Sequence, residues 1–524
     1  MIAPPGRPAR RLRNRALPYV GIALAAAALL WDRGLPCAPV DFLHEGQHLA
    51  WANCALRGLK PQLDVRTLYG FLQTEALAAT LKTFGLRVLI WRRYAFALKV
   101  AGVALFVAAL WSLATGWAVA AWAVPAVLLA SPRLFTWLHY DPMRSALPLF
   151  ALALACRGTR AAGIAGFVCG ISFFWSPEFA LAGAAASVFT LARGGRGRLP
   201  RWAVGAALAL LLPLPWARAR WPELLWNHVE FILDRAGGYA RIPLPAWGIA
   251  YLAVPGAALA LAASGWISRQ RDPALAALGL FALACAVPAL TRPDRLHLDL
   301  AFIPLLAATA RWAATIRAPA RPWIGAGALA LAIAHGALSG DRAAWHLATR
   351  WLPSEPAAAA ARARPQPSPE FRLAGLRLDS REAELLQRIT RLLGCAALPG
   401  EPVFLLANEQ VFYFLADRLP ATRFPLFFVR HTPRQRGELA AELERVAPRF
   451  VLVSRNAGID RPAAETHPEL VRFVQRGYEP LRRVVSSYPP GLNLPDVDYT
   501  LLERRDSFAT GTGGSRLRRC VSPP

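Results

Sequence analysis

Four titratable side chains lie within eight residues near the N-terminus, in the stretch DFLHEGQH. If this stretch is helical, residues three and four positions apart are neighbours, so one face carries Asp41, His44, Glu45 and His48. A carboxylate or an imidazole held in this way can act as a general base. The alternative interpretation is the solvated polar face of an amphipathic helix at a membrane boundary.

The same stretch contains the pattern H-E-x-x-H, from His44 to His48. In zincins, two histidines one helical turn apart bind zinc, and the glutamate activates the bound water. A catalytic zinc site also needs a third ligand, for which the nearest candidate is Glu75 in an apolar stretch. A membrane zinc metalloprotease, with His44 and His48 as metal ligands, is therefore kept as an alternative hypothesis.

Further ionisable residues occur in short segments that separate apolar runs: Arg144, Glu178, Arg292, Asp294 and His297. Ionisable side chains at membrane depth are costly, and they usually face a cavity or a partner. Each could also be a snorkelling or ion-paired loop residue. Taken together, carboxylates and arginines on one side of a helix bundle suit a reaction that needs a base and a phosphate clamp.

The composition indicates a polytopic α-helical membrane protein. Hydrophobic residues make up 55% of the 524 residues and charged residues only 18%, too apolar for a soluble protein of this length. The same numbers exclude intrinsic disorder and a disulfide scaffold. The net charge of +27 comes almost entirely from arginine, which we attribute to a compositional bias, so no nucleic-acid partner is predicted.

About eleven segments are apolar enough to be membrane spans, and we interpret the first as a retained signal anchor. They are 17–31, 94–113, 117–130, 145–155, 161–175, 178–192, 202–216, 247–267, 273–290, 298–316 and 322–339. With a cytoplasmic N-terminus, five of the six cytoplasmic connections carry arginines, as the positive-inside rule requires. The outer face then holds the loops 32–93, 131–144, 217–246 and 291–297 and everything after residue 340.

The C-terminal third is predicted to form a small extracytoplasmic α/β domain. Helical periodicity covers 380–394 and 435–447, and β-rich runs occur at 402–406, 411–415, 449–453 and 497–502. The predicted organisation is a transmembrane domain at 1–345, a linker at 346–374, the α/β domain at 375–505 and a disordered tail at 506–524.

At motif level the chain resembles the GT-C superfamily of polyprenyl-phosphate-dependent integral membrane glycosyltransferases, in particular the bacterial branches related to protein mannosyltransferases and aminoarabinose transferases. The similar stretches are HEGQHLAWANCALRGLKPQLDVRTLYG after the first span, Trp-Ser-Pro-Glu at 175–178, Arg-Pro-Asp with His297 at 292–297, and YFLADRLPATRF at 413–424. The family usually has Asp-Glu where this chain has His44-Glu45.

The resemblance implies a GT-C-like fold and transfer of a sugar from polyprenyl phosphate to an acceptor hydroxyl, with inversion at the anomeric carbon. It implies a general base among Asp41, Glu45 and His44, in that order of preference. It further implies donor phosphate binding by Arg292, Arg144, His297 and Asp294, and acceptor binding or orientation by Asp64, Tyr69 and Glu178.

The implied location is the bacterial inner membrane, with the lipid bilayer, a polyprenyl-phosphate sugar and a glycan, lipid or protein acceptor as partners. A divalent metal cofactor is left open. Besides the metalloprotease, two alternatives stay open: a transporter or flippase for a lipid-linked glycan, and a non-catalytic envelope protein that binds polyprenyl phosphate. A transporter would carry ionisable residues deep within several spans.

Overall fold

The protein was analysed as a computed structural model. The structure describes residues 36, 40–113, 123–126, 141–193, 197–236, 249–267, 272–291, 295–316, 320–338, 366–367, 371–425, 431–454, 463–486 and 497–506. The described residues belong to two compact units. One is drawn from Met1–Asp32, Ala95–Trp221 and Ile242–Leu352, and the other from Arg33–Tyr94, Pro222–Arg241 and Pro353–Pro524.

The first unit is helical. Its helices are α3 (Val88–Ser112, from Ala95 onward), α4 (Met143–Ala155), α5 (Thr159–Trp175), α6 (Pro177–Arg193), α7 (Arg198–Leu211), α8 (Leu214–Ala217), α10 (Ile249–Ile267), α11 (Pro273–Thr291), α12 (Arg295–Thr315) and α13 (Arg321–Leu338). Alanine, leucine and phenylalanine fill the core between α3, α4, α6, α11 and α12. The apolar segments found in the sequence match most of these helices to within a few residues.

Small residues allow two of these helices to touch along their backbones. A Cβ atom on Gly166 of α5 would lie 1.9 Å from the carbonyl oxygen of Trp202 on α7. A Cβ atom on Gly205 of α7 would likewise lie 2.0 Å from the carbonyl oxygen of Gly163. Any larger residue would force the helices apart, so glycine is required at these positions.

Two described helical stretches are long and apolar enough to cross a membrane by length and composition: Val88–Ser112 and Arg198–Asp234, which runs through α7 and α8. Four shorter apolar helices lie within α4, α5, α10 and α11. The segment 17–31, most of 117–130, the linker up to residue 365 and the tail after residue 506 lie outside the described residues. The proposed count of about eleven spans and the domain boundaries stay predictions.

The second unit combines α-helices with a mixed sheet. Its helices are α1 (His44–Leu56), α2 (Phe71–Phe84), the first turns of α3, α9 (Trp221–Ala236), α14 (Ser380–Ala396), α15 (Val411–Leu415), α16 (Pro433–Val446), α17 (Ala463–Thr466) and α18 (Pro468–Gly477). Its strands are β1 (Gln366–Pro367), β2 (Arg377–Leu378), β3 (Pro402–Leu406), β4 (Leu419–Pro420), β5 (Phe450–Ser454), β6 (Tyr478–Ser486) and β7 (Val497–Arg504). Strand order in the five-stranded sheet is β4-β3-β5-β7-β6, with β3 parallel to β4 and β5, and β7 antiparallel to its neighbours.

Three of the four predicted β-rich runs are strands. The prediction for 411–415 is wrong, because this run forms the short helix α15. All five of its side chains are buried. A short run that is apolar on every side fits a buried strand and a buried helical turn equally well, so periodicity could not decide between them.

A buried imidazole pair lies between the start of α16 and the start of α18. Nδ1 of His431 is 2.9 Å from Nε2 of His467, and Nδ1 of His467 is 3.0 Å from Oγ1 of Thr466. Burial lowers the pKa of His431 to about 3 and that of His467 to about 4, and the nearby Arg436 acts in the same direction. Both rings are therefore neutral in the folded protein near pH 7.

This pair predicts an acid-sensitive fold. Between pH 6.5 and 4 the unfolded chain binds protons on these histidines that the folded chain does not, so the pair's contribution to stability is complete above pH 7 and is lost as the pH drops towards 4. The loss is of order 3 kcal/mol for one ring. This loss of stability can be measured by thermal unfolding between pH 4 and 8, with the wild type and a His431→Gln/His467→Gln variant. We expect the melting temperature of the variant to depend less on pH than that of the wild type. The same pH dependence in both proteins would contradict the prediction that the two rings are neutral in the fold.

Candidate functional site

The segment predicted to carry the general base forms the start of α1. Oδ1 of Asp41 accepts hydrogen bonds from the backbone N–H groups of Leu43 (3.2 Å) and His44 (2.8 Å), and so caps the helix. Oδ2 of the same carboxylate lies 2.9 Å from Nδ1 of His44. Both side chains are partly exposed, with 37% of Asp41 and 25% of His44 accessible.

Asp41 and His44 therefore form a carboxylate–imidazole pair. Burial raises the pKa of Asp41, but the charge of His44 and the hydrogen bonds from residues 43 and 44 outweigh it, so the net pKa lies below its ordinary value of 3.8. An ionised carboxylate at Nδ1 favours the tautomer with a proton on that nitrogen, which makes Nε2 the proton acceptor. The pair can thus act as a general base, with Nε2 of the imidazole as the atom that accepts the proton.

Glu45 occupies a different environment from its two neighbours. Its carboxylate accepts hydrogen bonds from Nε (2.7 Å) and Nη2 (3.0 Å) of Arg92, and from the backbone N–H of Asp41 (2.9 Å). Both side chains of the ion pair are buried, with 3% of Glu45 and 1% of Arg92 accessible. Burial raises the pKa of the Glu45 carboxyl, and Arg92 opposes this effect. This geometry is that of an anchoring ion pair, which sequence analysis missed because Arg92 is 47 residues away.

Glu382 on α14 extends this buried network. Its carboxylate accepts a hydrogen bond from the backbone N–H of Val40, at 2.5 Å. Burial raises the pKa of Glu382 to about 7, partly offset by that hydrogen bond and by Arg92. The residue lies in the predicted α/β segment, and no sequence pattern connects it with the first outer loop.

Packing explains two further positions of the H-E-x-x-H pattern, Gly46 and His48. A Cβ atom on Gly46 would lie 2.3 Å from the backbone nitrogen of Val411, so glycine here allows α1 to contact α15. His48 is buried and stacks on Tyr69 at 5.5 Å between ring centroids, with Trp51 and Trp91 at 5.5 and 6.0 Å. His48 thus belongs to an aromatic cluster.

This arrangement does not fit a zincin site. Nδ1 of His44 is held by Asp41, Glu45 is held by Arg92, and His48 packs among aromatic rings. Among the residues that the structure describes, no group of three or more His, Cys, Asp or Glu side chains is placed to hold a metal ion. The described side chains therefore offer no third ligand to the pattern.

A second charged cluster lies in the helical unit, around the Trp-Ser-Pro-Glu motif. Arg144 pairs with Glu178 and its Nε donates to Oγ of Ser176 at 3.3 Å. Nε1 of Trp175 donates to Oδ2 of Asp141 at 2.6 Å. Burial raises the pKa of Asp141 to about 6, although its hydrogen bonds from Trp175 and Met143 oppose the shift.

Proline sets the geometry of this cluster. Pro177 lacks a backbone N–H and disfavours helical geometry at Ser176, so α5 ends at Trp175 and α6 begins at Pro177. The sequence pointed to Arg144 and Glu178 separately, as a phosphate ligand and an acceptor-side group. The structure brings them together as an ion pair, so Arg144 already has a compensating charge.

The remaining predicted site residues are placed as follows. Asp64 accepts a hydrogen bond from the backbone N–H of Lys60 at 2.8 Å and so closes a tight turn. Tyr69 is buried in the aromatic cluster with His48. Arg292 and Asp294 lie outside the described residues, and only the backbone of His297, in α12, is described.

Comparison with solved structures follows this geometry. The structure resembles that of ArnT from Cupriavidus metallidurans bound to undecaprenyl phosphate, with 15% identity and a TM-score of 0.50 over 93% of this chain and 97% of that chain. The chain has an ArnT-like fold. The apo state of the same protein aligns over 94% of this chain and 98% of that chain, with 14% identity and a TM-score of 0.46. No protein-family model and no curated protein matches the chain.

The ArnT-like fold supports the expected GT-C-like fold, and the described residues contain the expected mixture of helices with a C-terminal sheet. At 15% identity the likeness shows the fold alone. The activity must therefore be argued from the side chains of this chain.

Proposed function

We propose that this protein is an inner-membrane glycosyltransferase that moves a sugar from a polyprenyl-phosphate donor to an acceptor hydroxyl on the outer face. The observation that carries the proposal is the Asp41–His44 pair, partly exposed at the start of α1, within a chain that has an ArnT-like fold. The ArnT structure holds undecaprenyl phosphate, which supports a lipid-phosphate donor here.

In the proposed reaction, Nε2 of His44 takes the proton of the acceptor hydroxyl, and Asp41 positions the imidazole through Nδ1. The acceptor oxygen then bonds to the anomeric carbon with inversion, as the bond to the phosphate oxygen breaks and polyprenyl phosphate leaves. Glu45 and Arg92 hold the start of α1 in place. The resemblance makes Arg292 the first choice for stabilising the leaving phosphate, a role that suits a guanidinium.

The proposed base is therefore His44, whereas the sequence analysis preferred Asp41. Three of the roughly four lone-pair positions of its carboxylate already accept hydrogen bonds from residues 43 and 44. The imidazole that it orients is better suited to accept a proton near neutral pH. Glu45 is the least suitable of the three candidates, because its charge is compensated by Arg92.

The proposal is tested with purified protein in detergent and a polyprenyl-phosphate donor that carries a radiolabelled sugar. Incubation with a lipid fraction from a bacterial envelope should release free polyprenyl phosphate and move label to a second product. A transporter would leave the donor intact, because transport needs two compartments and detergent has none. Absence of donor cleavage with envelope lipid, glycan and protein fractions would contradict the proposal. A heat-denatured sample and the His44→Ala variant serve as controls.

A further inference from the structure

An open groove runs along the helical unit between α5 and α7. It encloses about 510 Å³, within the range of roughly 300–1,000 Å³ found for small-molecule sites. Glycine contacts form its floor, since α5 and α7 touch at Gly163, Gly166 and Gly205. The lining residues are Arg160, Gly163, Ile164, Phe167, Pro200, Arg201, Val204, Gly205 and Leu208.

The walls of the groove are aliphatic and aromatic, and they are open to the surroundings. Ile164, Val204 and Leu208 each expose more than half of their surface. Each helix contributes residues at spacings of three and four, so the apolar positions form one continuous stripe per helix. On a helix that can cross a membrane, such a surface faces lipid tails, and an acyl chain can pack along it.

Positive charge is concentrated at one end of the groove. The two helices run parallel: Gly163 contacts Arg201 near the start of both helices, and Gly170 contacts Ala209 further along both. Arg160 and Arg201, each near the start of its helix, therefore lie at the same end, and both are exposed. The lining, all of it within the described part of the chain, includes no acidic residue.

We propose that this groove binds an anionic phospholipid, with its phosphate between Arg160 and Arg201 and an acyl chain along the apolar stripes. Guanidinium groups form strong charge-assisted hydrogen bonds with phosphate oxygens. The connections 156–160 and 193–201 belong to the arginine-rich side of the sequence, so the lipid comes from the cytoplasmic leaflet, whose anionic lipids attract such residues. The proposal uses none of the residues assigned to the glycosyl-transfer reaction and does not depend on that assignment.

Native mass spectrometry of the detergent-purified protein tests this proposal by titration with dioleoyl phosphatidylglycerol and dioleoyl phosphatidylcholine. We expect wild type to bind phosphatidylglycerol at least about tenfold more tightly, and the Arg160→Gln/Arg201→Gln variant to bind it about thirtyfold more weakly than wild type. The Val204→Trp variant, changed at an exposed position, should fill the groove and weaken the binding of both lipids.

A matched control removes two other arginines from the same connections. Arg157 and Arg193 are exposed, line no part of the groove and lie over the rings of Trp111 and Trp266. An Arg157→Gln/Arg193→Gln variant has the same net charge as the test variant and should keep the wild-type affinity for phosphatidylglycerol.

Three outcomes would overturn the proposal. Unchanged phosphatidylglycerol binding in the Arg160→Gln/Arg201→Gln variant would remove the arginines from the site. Equally tight binding of glycerol 1-phosphate would show an anion site with no role for the acyl chain. A two-chain species that Val204→Trp dissociates would instead make the groove a contact between copies of this protein.

Discussion

The His44→Ala variant is expected to lose sugar transfer by a factor of about 10²–10⁴ in kcat, with little change in donor affinity. The imidazole is the group assigned to accept the proton of the acceptor hydroxyl, so its removal acts on the transition state rather than on binding. The Asp41→Asn variant should lose a comparable factor, because an amide at Nδ1 no longer favours the required tautomer. Rates with labelled donor in detergent give both values.

The pH profile of kcat/KM separates the two members of the pair. If His44 is the base, the acid limb lies in the near-neutral range that imidazole bases give. If Asp41 is the base, the limb lies below pH 4, because the pKa of its carboxyl is lower than its ordinary value. Asp41→Glu is the conservative control and should restore part of the rate. Full activity in the His44→Ala variant, together with an acid limb below pH 4 in the wild type, would move the base to Asp41.

Local sequence spacing was sufficient to place Asp41 and His44 on one helical face, but it did not separate this pair from Glu45 and His48. Asp41 and His44 are three positions apart, and an acid at the start of a helix faces the residue one turn later regardless of the tertiary fold. The helices were predictable for a related reason, because the length of an apolar run depends only on neighbours along the chain.

Contacts between distant segments could not be predicted in the same way. Arg92 sits in the stretch WRRYAF at the start of an apolar helix, where a snorkelling arginine and a buried ion-pair partner look alike in sequence. Gly46 is similar: the close approach of Val411 that requires it depends on where α15 packs. The literal H-E-x-x-H pattern therefore has an explanation in packing and ion pairing that the sequence alone did not contain.

The Glu45–Arg92 ion pair gives the second large expected effect, on stability. Replacing Glu45 by Gln leaves the Arg92 charge buried with reduced compensation, and removing one partner of a buried pair costs about 3–5 kcal/mol. We expect a melting temperature lower by several degrees for Glu45→Gln and for Arg92→Met. The double variant Glu45→Leu/Arg92→Met should recover much of this loss, because neither charge of the pair is left buried without its partner.

An exposed ion pair on α14 provides the matched control for these Glu45 and Arg92 variants. Arg388 and Glu384 are four residues apart, 3.6 Å from each other and 46% and 67% exposed, so neutralising either should change stability by about 0.5 kcal/mol or less. The same variants also decide the role of Glu45 in the reaction. If Glu45→Gln unfolds at the wild-type temperature yet transfers no sugar, Glu45 is the general base and the anchoring role is wrong. If it is destabilised and keeps transferring while folded, the base is the Asp41–His44 pair, and the ion pair acts only by holding the start of α1.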